Sequence, residues 1–363
     1  MKTKIFKALK KTIIVVLILI TCFIIYFGGV ILYSYITDYK PNLVEKIDII
    51  NSKTSIKIYS NRTEFSILTW NIGYCGLGKE QDFFYDGGKM VRPNENDYKK
   101  YQKGIIRFIS KMNFIDFILL QEVDLSAKRS YKENQVDILS SSLPNMSYTF
   151  TKNYNVDFVP IPIFEPMGKV KAGLMNLSLF EPSEAQRFSF PVNFSWWKRI
   201  FMLDRCFSLQ RFALSSGKDL VIINIHNSAF DDENILKPIE LNTIKTKLIE
   251  EFTKGNYVIA GGDWNQNPPN FDVLKIDKLW NPVTIDTPIN SNLMPDNWLW
   301  IYPESIPTER FNDKPFVKGV NKTTTIDYFL VSPNVKSISV KTIDLGFSYS
   351  DHQPVIMDFE ILK

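Results

Sequence analysis

Residues 257–265 read YVIAGGDWN: a short β-prone apolar run, two glycines, then Asp263 and Asn265 flanking a tryptophan. An apolar run this brief, closed by glycine, predicts a buried strand, because a core helix of the same polarity needs about ten residues or more. The polar pair then falls at the strand's carboxyl end. Working outward, the pattern repeats. FSILTW (65–70) delivers Asn71, FILLQ (117–121) delivers Glu122, and LVIINI (220–225) delivers His226. Asp327 sits within TTTIDYFLV (323–331), and Asp351 and His352 within SYSDHQPV (348–355). Strands that carry such side chains to a common edge are where function concentrates in α/β folds. Singly, Asn71 could cap a turn, Asn265 could form an Asx-turn before Pro268 and Pro269, and Asp327 could pair with a lysine. Together, residues that all bind metal or move protons argue for a site. The chain has only two histidines, and both lie in these segments.

Between the strands, 97–111 has helical apolar spacing through Tyr101, Ile105, Phe108 and Ile109, and 235–252 predicts a second helix ending near Gly255. Further strands are expected at 326–331, 338–343 and 355–360. Several strands lack a crossover helix, so a purely parallel sheet is not expected; mixed sheets packed face to face with helices outside fit better. No internal repeat, low-complexity tract or second linker divides 64–363.

The 363 residues are 45% hydrophobic and 14% aromatic, enough for a large core. The net charge of +4 misleads if taken whole, since Lys2, Lys4, Lys7, Lys10 and Lys11 precede any acid. Taking those five from the 43 basic residues leaves 38 against 39 acidic. Such a body lacks the basic excess with which nucleic-acid-binding domains neutralise phosphates. Cys22, Cys75 and Cys206 cannot make a disulfide framework; one bridge, Cys75–Cys206, is the most they allow.

Residues 12–37 carry no charge. A helix of that length rises roughly 39 Å, enough to cross a bilayer with some tilt. The run is too long for a cleaved signal peptide and lacks a small-x-small site after it. Lipoprotein processing at Cys22 fits poorly, since Leu-Ile-Thr precedes the cysteine and the apolar run continues past it. With lysines before the span, the positive-inside tendency predicts a cytoplasmic tail (1–11), a single transmembrane anchor (12–37), a polar connector (38–63) and an extracytoplasmic catalytic domain (64–363).

TWN (69–71), LLQEV (119–123), GGDWN (261–265), TIDYFLVS (325–332) and SDHQPV (350–355) resemble, in order, the signature of the endonuclease/exonuclease/phosphatase superfamily. A Gly-x-x-x-x-Ser strand common there is present only loosely, as GLMNLS (173–178). The resemblance implies an α/β fold, a four-layered αββα sandwich of two packed mixed sheets, and hydrolysis of a phosphoester with bound Mg²⁺ or, in its place, Mn²⁺. It implies Glu122 as the main metal ligand, with Asn71 and Asp351 completing or orienting that shell. Asp263 would orient or deprotonate the attacking water, and Asn265 would hold water or a phosphate oxygen. His352 would contact the phosphoryl group, with Asp327 fixing its tautomer, and His226 would protonate the leaving group.

The substrate is less legible. The glycine-rich stretch 73–93 lies beside the expected site, and Lys128, Arg129 and Arg205 are candidate phosphate contacts. The aromatic stretch 188–207 (FSFPVNFSWWKRIFMLDRCF) reads either as a hairpin packed on the core or as a lip suited to a membrane interface. With the anchor and the near-neutral body, the expected substrate is a lipid-linked or small phosphoester. A surface nuclease acting on DNA or RNA is the alternative, and an inactive binding module of the same fold a further one. The partners expected are the substrate and the membrane; no protein partner is predicted.

Overall fold

The computed structural model describes residues 2–54, 56–58, 62–191, 194–231, 235–285 and 287–362. The aromatic stretch is described except for Val192, Asn193 and the Trp197 side chain, which lie outside the described residues, as do the side chains of Lys2 and Lys4.

After α1 (Lys2–Ile36) come β1 (Val44–Lys46), β2 (Ile49–Ile50), β3 (Glu64–Asn71), α2 (Glu95–Lys111), β4 (Phe117–Ala127), α3 (Gln135–Ser142), β5 (Ser147–Val159), β6 (Gly168–Ser178) and β7 (Glu184–Ser189). Then follow α4 (Trp196–Arg199), β8 (Cys206–Ala213), β9 (Asp219–His226), α5 (Leu236–Thr253), β10 (Tyr257–Asp263) and β11 (Leu299–Ile301). β12 (Glu309–Arg310), β13 (Thr323–Thr324), β14 (Asp327–Val331), β15 (Val335–Thr342) and β16 (Val355–Ile361) complete the chain.

Two seven-stranded sheets result, ordered β1-β7-β8-β9-β10-β14-β11 and β15-β16-β3-β4-β6-β5-β2. Each is mixed. β9 runs parallel to β10 and β3 parallel to β4, while their other neighbours are antiparallel. Strand periodicity divides the core into layers. Ile67, Phe117, Leu119 and Phe359 of one sheet meet Phe212, Ile222, Ile259 and Phe329 of the other. The alternate residues point outward. Leu68, Trp70, Ile118 and Leu120 carry Tyr98, Ile105 and Ile109 of α2 and Val136 and Leu139 of α3. Val221, Ile223, Val258 and Leu330 carry Leu241, Ile244 and Leu248 of α5. The fold is the expected α/β sandwich of two mixed sheets with helices outside.

The interface between the sheets is not wholly apolar. Gln121 donates to Thr69 Oγ1 (3.1 Å) and Asn224 Oδ1 (2.7 Å), Asn224 to Asn176 Oδ1 (2.7 Å), and Asn176 to Ser208 Oγ (2.8 Å). Gln210 adds a bond to Thr149 Oγ1 at 3.2 Å. This polar seam crosses from β3, β4, β5 and β6 to β8 and β9, and its amides are buried.

The stretch following the apolar helix is sewn into both sheets, since β1 pairs with β7 and β2 with β5. α1 contains an apolar span, Ile5–Ile36, long and apolar enough to cross a membrane. Cys75 and Cys206 are buried and free, so the one bridge the sequence allowed is not made.

Candidate active site

Three neighbouring strands set three polar residues in one row. Asp263, closing β10, is paired across the ladder with His226 on β9 and with Asp327 on β14. This needs a glycine behind the aspartate. Gly262 has φ +146°, and a Cβ there would lie 2.0 Å from the Ile225 carbonyl oxygen. In the other sheet, Asn71 ends β3 and Glu122 lies between Leu120 and Val123 on β4, where the β4–β6 register shifts. Glu122 takes φ 55°, in the left-handed region, as Asn265 does with φ 51°. Such a break in a ladder re-aims a side chain. Gly73 (φ +48°) passes close to the site, for a Cβ there would lie 2.9 Å from Asp351 Oδ1.

The side chains converge on one cavity of about 240 Å³, lined by Asn71, Glu122, Arg129, Arg205, His226, Asp263, Asn265, Asp351 and His352 among others. Asn71 Nδ2 donates to Glu122 Oε1 (3.2 Å) and Asp263 Oδ2 (3.0 Å), bridging the two sheets. Asp263 Oδ1 accepts from the Asn265 backbone at 2.9 Å, and Asn265 Nδ2 donates to the Asn227 carbonyl at 2.8 Å. His226 Nε2 lies 3.6 Å from Asp263 Oδ2 and 3.9 Å from Glu122 Oε1. His352 places Nδ1 2.8 Å from Asp327 Oδ2 and Nε2 3.7 Å from Asp263 Oδ2. Asp327 stands behind His352 rather than in the cavity wall.

The two histidines differ in charge. Burial alone would lower the pKa of His352, but the charges of Asp327 and Asp263 and the Asp327 hydrogen bond hold it well above the ordinary histidine value. Burial lowers His226, and the positive charges of Arg205, His352 and Arg129 lower it further. These surroundings favour the charged form of His352 and the neutral form of His226. Burial pushes Glu122 up; the charge of Arg129 opposes that push and the charge of Asp351 adds to it.

The sequence matches the profile of the Endonuclease/Exonuclease/phosphatase family over residues 68–352. The chain belongs to this family. No curated protein matches it. Among solved structures, it resembles an endonuclease/exonuclease/phosphatase from Beutenbergia cavernae DSM 12333 (15% identity, 83% of this chain and 72% of that one, TM-score 0.53). It also resembles D. rerio TDP2 complexed with single strand DNA product (14%, 82% and 100%, TM-score 0.52) and the human Nocturnin catalytic domain with bound sulfate anion (17%, 87% and 97%, TM-score 0.52). At these identities the likeness is one of fold.

The donor chemistry fits the divalent cation that the family resemblance implies. Glu122 and Asp351 are hard oxygen donors on one cavity, and the repulsion between their charges is what a cation would relieve. Asn71 stands beside Glu122. Asp263, Asp327 and His352 also bring donor atoms within 4.8 Å of one another. There, however, the His352–Asp327 hydrogen bond already occupies Nδ1 and Oδ2, an arrangement suited to holding a proton.

Arg129 and Arg205 both line the cavity. Arg129 is buried, bonded to both Asp124 carboxylate oxygens (3.2 and 2.9 Å), stacked 3.8 Å over Tyr74 and 4.0 Å from Glu122. Arg205 donates to the His226 carbonyl at 3.2 Å. Lys128 turns aside to the Pro166 carbonyl at 2.7 Å and does not line the cavity. The 73–93 stretch supplies Tyr74, Leu77, Phe83, Tyr85 and Asp86 to the cavity.

Several residues were missed from sequence. Asn312 donates to Asp351 Oδ2 at 2.6 Å, Thr308 Oγ1 accepts from the Asp327 backbone at 3.0 Å, and Ser350 Oγ lies 3.2 Å from Asp351 Oδ1. Glu309 pairs with His352 through an isolated backbone bridge, and burial raises its pKa well above the carboxylate range. Asp86 is pushed up to about 6, by burial first and by the charge of Asp351 next.

Proposed function

We propose that the chain is a membrane-anchored, Mg²⁺-dependent hydrolase of a lipid-linked or small phosphoester, with Mn²⁺ as a substitute ion and the catalytic body on the extracytoplasmic side. The observation that carries this reading is the hydrogen-bonded His352–Asp327 pair, its Nε2 3.7 Å from Asp263, on one cavity with Asn71, Glu122 and Asp351. The bound cation, held by Glu122 with Asp351 and Asn71, would polarise the phosphoryl oxygens.

His352 Nε2 donates to a phosphoryl oxygen and neutralises charge developing there, its Nδ1 proton pinned by Asp327. Asp263, kept in place by Asn71 Nδ2 and the Asn265 amide, accepts a proton from the attacking water. Asn265 and Arg205 hold phosphoryl oxygens. His226, being neutral, supplies a hydrogen bond to the leaving oxygen.

The test is turnover by the full-length chain of bis-p-nitrophenyl phosphate, p-nitrophenyl phosphate, phospholipid vesicles and plasmid DNA, with Mg²⁺, Mn²⁺ or EDTA, alongside His352→Ala. Metal-dependent turnover that the variant loses is the expected result. A folded protein inert towards the whole panel would point instead to a binding module, and preferential cleavage of plasmid with steep salt dependence to a nuclease.

A further inference from the structure

One short stretch, residues 194–205, touches both the end of α1 and the wall of the catalytic cavity. Towards the helix, Trp196 meets Tyr35 edge-on at 6.5 Å between ring centres, and Arg199 pairs with Asp38 just beyond α1. Towards the cavity, the same stretch contributes Phe201, Met202, Leu203 and Arg205. Met202 faces both the cavity and the cleft that holds Ser34, Thr37 and Asp38. Met202 is thus common to the catalytic cavity and to the cleft at the end of a membrane-length apolar helix.

That side of the cavity is apolar. Phe83, Tyr85, Tyr154, Phe201, Met202 and Phe230 line it, with Phe83–Tyr85 5.6 Å and Tyr85–Phe230 6.4 Å between ring centres. Tyr85 and Phe230 are 42% and 58% exposed, so this wall continues out of the cavity onto the surface. The rim extends along the hairpin joining β5 and β6. Met167 lines the cavity and bonds the Ile161 carbonyl at 2.9 Å, and beyond it Ile163 and Phe164 stand exposed. A contiguous apolar surface left in water is unfavourable in proportion to its area and marks a binding face. Here apolar side chains line the cavity, and the stretch that supplies Phe201 and Met202 also meets the helix end through Trp196. A polynucleotide would instead need several unpaired cations along its track, whereas Arg129 here is already bonded to Asp124.

We propose that the substrate is a membrane phospholipid drawn from the leaflet in which α1 ends, its phosphodiester at His352 and its acyl-bearing half against Tyr85, Met202 and Phe230. The proposal rests on the phosphoester-hydrolase reading above and names the substrate class for it. The reaction is a hydrolysis. The oxygen of water bonds to phosphorus, the bond from phosphorus to the leaving alcohol's oxygen breaks, and that oxygen takes up a proton equal to the one water gives up. No oxidant, reductant or further reactant is needed.

The experiment uses the full-length chain reconstituted with Mg²⁺ into vesicles of phosphatidylcholine and phosphatidylglycerol, with soluble bis-p-nitrophenyl phosphate and a single-stranded oligonucleotide in parallel. Wild type, Met202→Ser and the double variant Tyr85→Ser/Phe230→Ser are compared by the ratio of phospholipid to chromogenic turnover. The expected result is phospholipid hydrolysis by wild type and a ratio at least about tenfold lower in each variant. Because these side chains are partly exposed, folding is not at stake, and the chromogenic rate reports an intact centre. Chromogenic or oligonucleotide turnover without phospholipid turnover, or an unchanged ratio in the variants, overturns the lipid proposal alone. Absence of metal-dependent turnover on every substrate overturns the hydrolase reading and the proposal with it.

Discussion

His352 and His226 share a cavity yet are shifted in opposite directions, because one is bonded to the Asp327 carboxylate while burial and the charges of Arg205, His352 and Arg129 act on the other. Asp327→Asn removes the charge but keeps the shape. It is expected to lower kcat on bis-p-nitrophenyl phosphate by about a hundredfold or more with KM little altered, measured by steady-state kinetics. Glu122→Gln acts earlier, on ion binding. Calorimetric titration with Mn²⁺ should show an affinity at least about tenfold weaker than wild type, whereas an unaltered affinity would remove Glu122 from the ion's shell. Among the residues singled out from sequence, Asn71, His226 and Asp263 end a strand, where an apolar run stops at a polar side chain, and Asp327 opens one. Thr308, Glu309 and Asn312 escaped because β12 has only two residues, too few to show a periodicity. Their roles follow from proximity to Asp327, His352 and Asp351, which only the folded chain brings about.

At the scale of elements, the strands with apolar inner faces were legible and the others were not. β3, β4, β9, β10 and β14 read as apolar runs. β5 buries Ser147, Thr149 and Thr151, and β8 buries Ser208 and Gln210, so their alternation has polar residues on the inside and no hydrophobic periodicity announces them. The expected strand at 338–343 begins earlier, at Val335, because antiparallel pairing with β16 carries it back. β8 is tied to α5 by Arg211, which meets both oxygens of the buried Glu251 at 2.6 and 2.7 Å. Arg211→Ala should cost about 2–3 kcal/mol in urea unfolding, softened from the usual loss of a buried partner because Lys247 remains 2.9 Å from Glu251. Burial alone would raise the Glu251 pKa, but Arg211 and Lys247 hold it far below the carboxylate range. A depressed pKa contributes stability above the unfolded-state value and loses it as pH falls through the folded one. The stability gap between wild type and Glu251→Gln should therefore be widest near about pH 7 and shrink by about pH 3.

For the whole molecule, sequence order and strand ends anticipated the sandwich, and most of the residues singled out from sequence line one cavity, while the sewing of the connector into both sheets through β1 and β2 was not foreseen. The membrane orientation proposed for the chain carries its own check. Protease added to intact cells should digest the body and leave the lysine-rich tail protected; a protected body would reverse the orientation. The seam between the sheets bears on the site as well. Gln121 directly precedes Glu122, Asn224 lies two residues before His226, and the two amides are bonded at 2.7 Å. Asn224→Leu would strand the polar groups of Gln121 and Asn176, at a cost of about 2–3 kcal/mol by denaturant titration. Grease lets layers glide; amides that must find their mates do not. The two halves of the catalyst sit on different sheets, and they are sighted on each other from behind, as a rifle's two posts are aligned by the barrel beneath them.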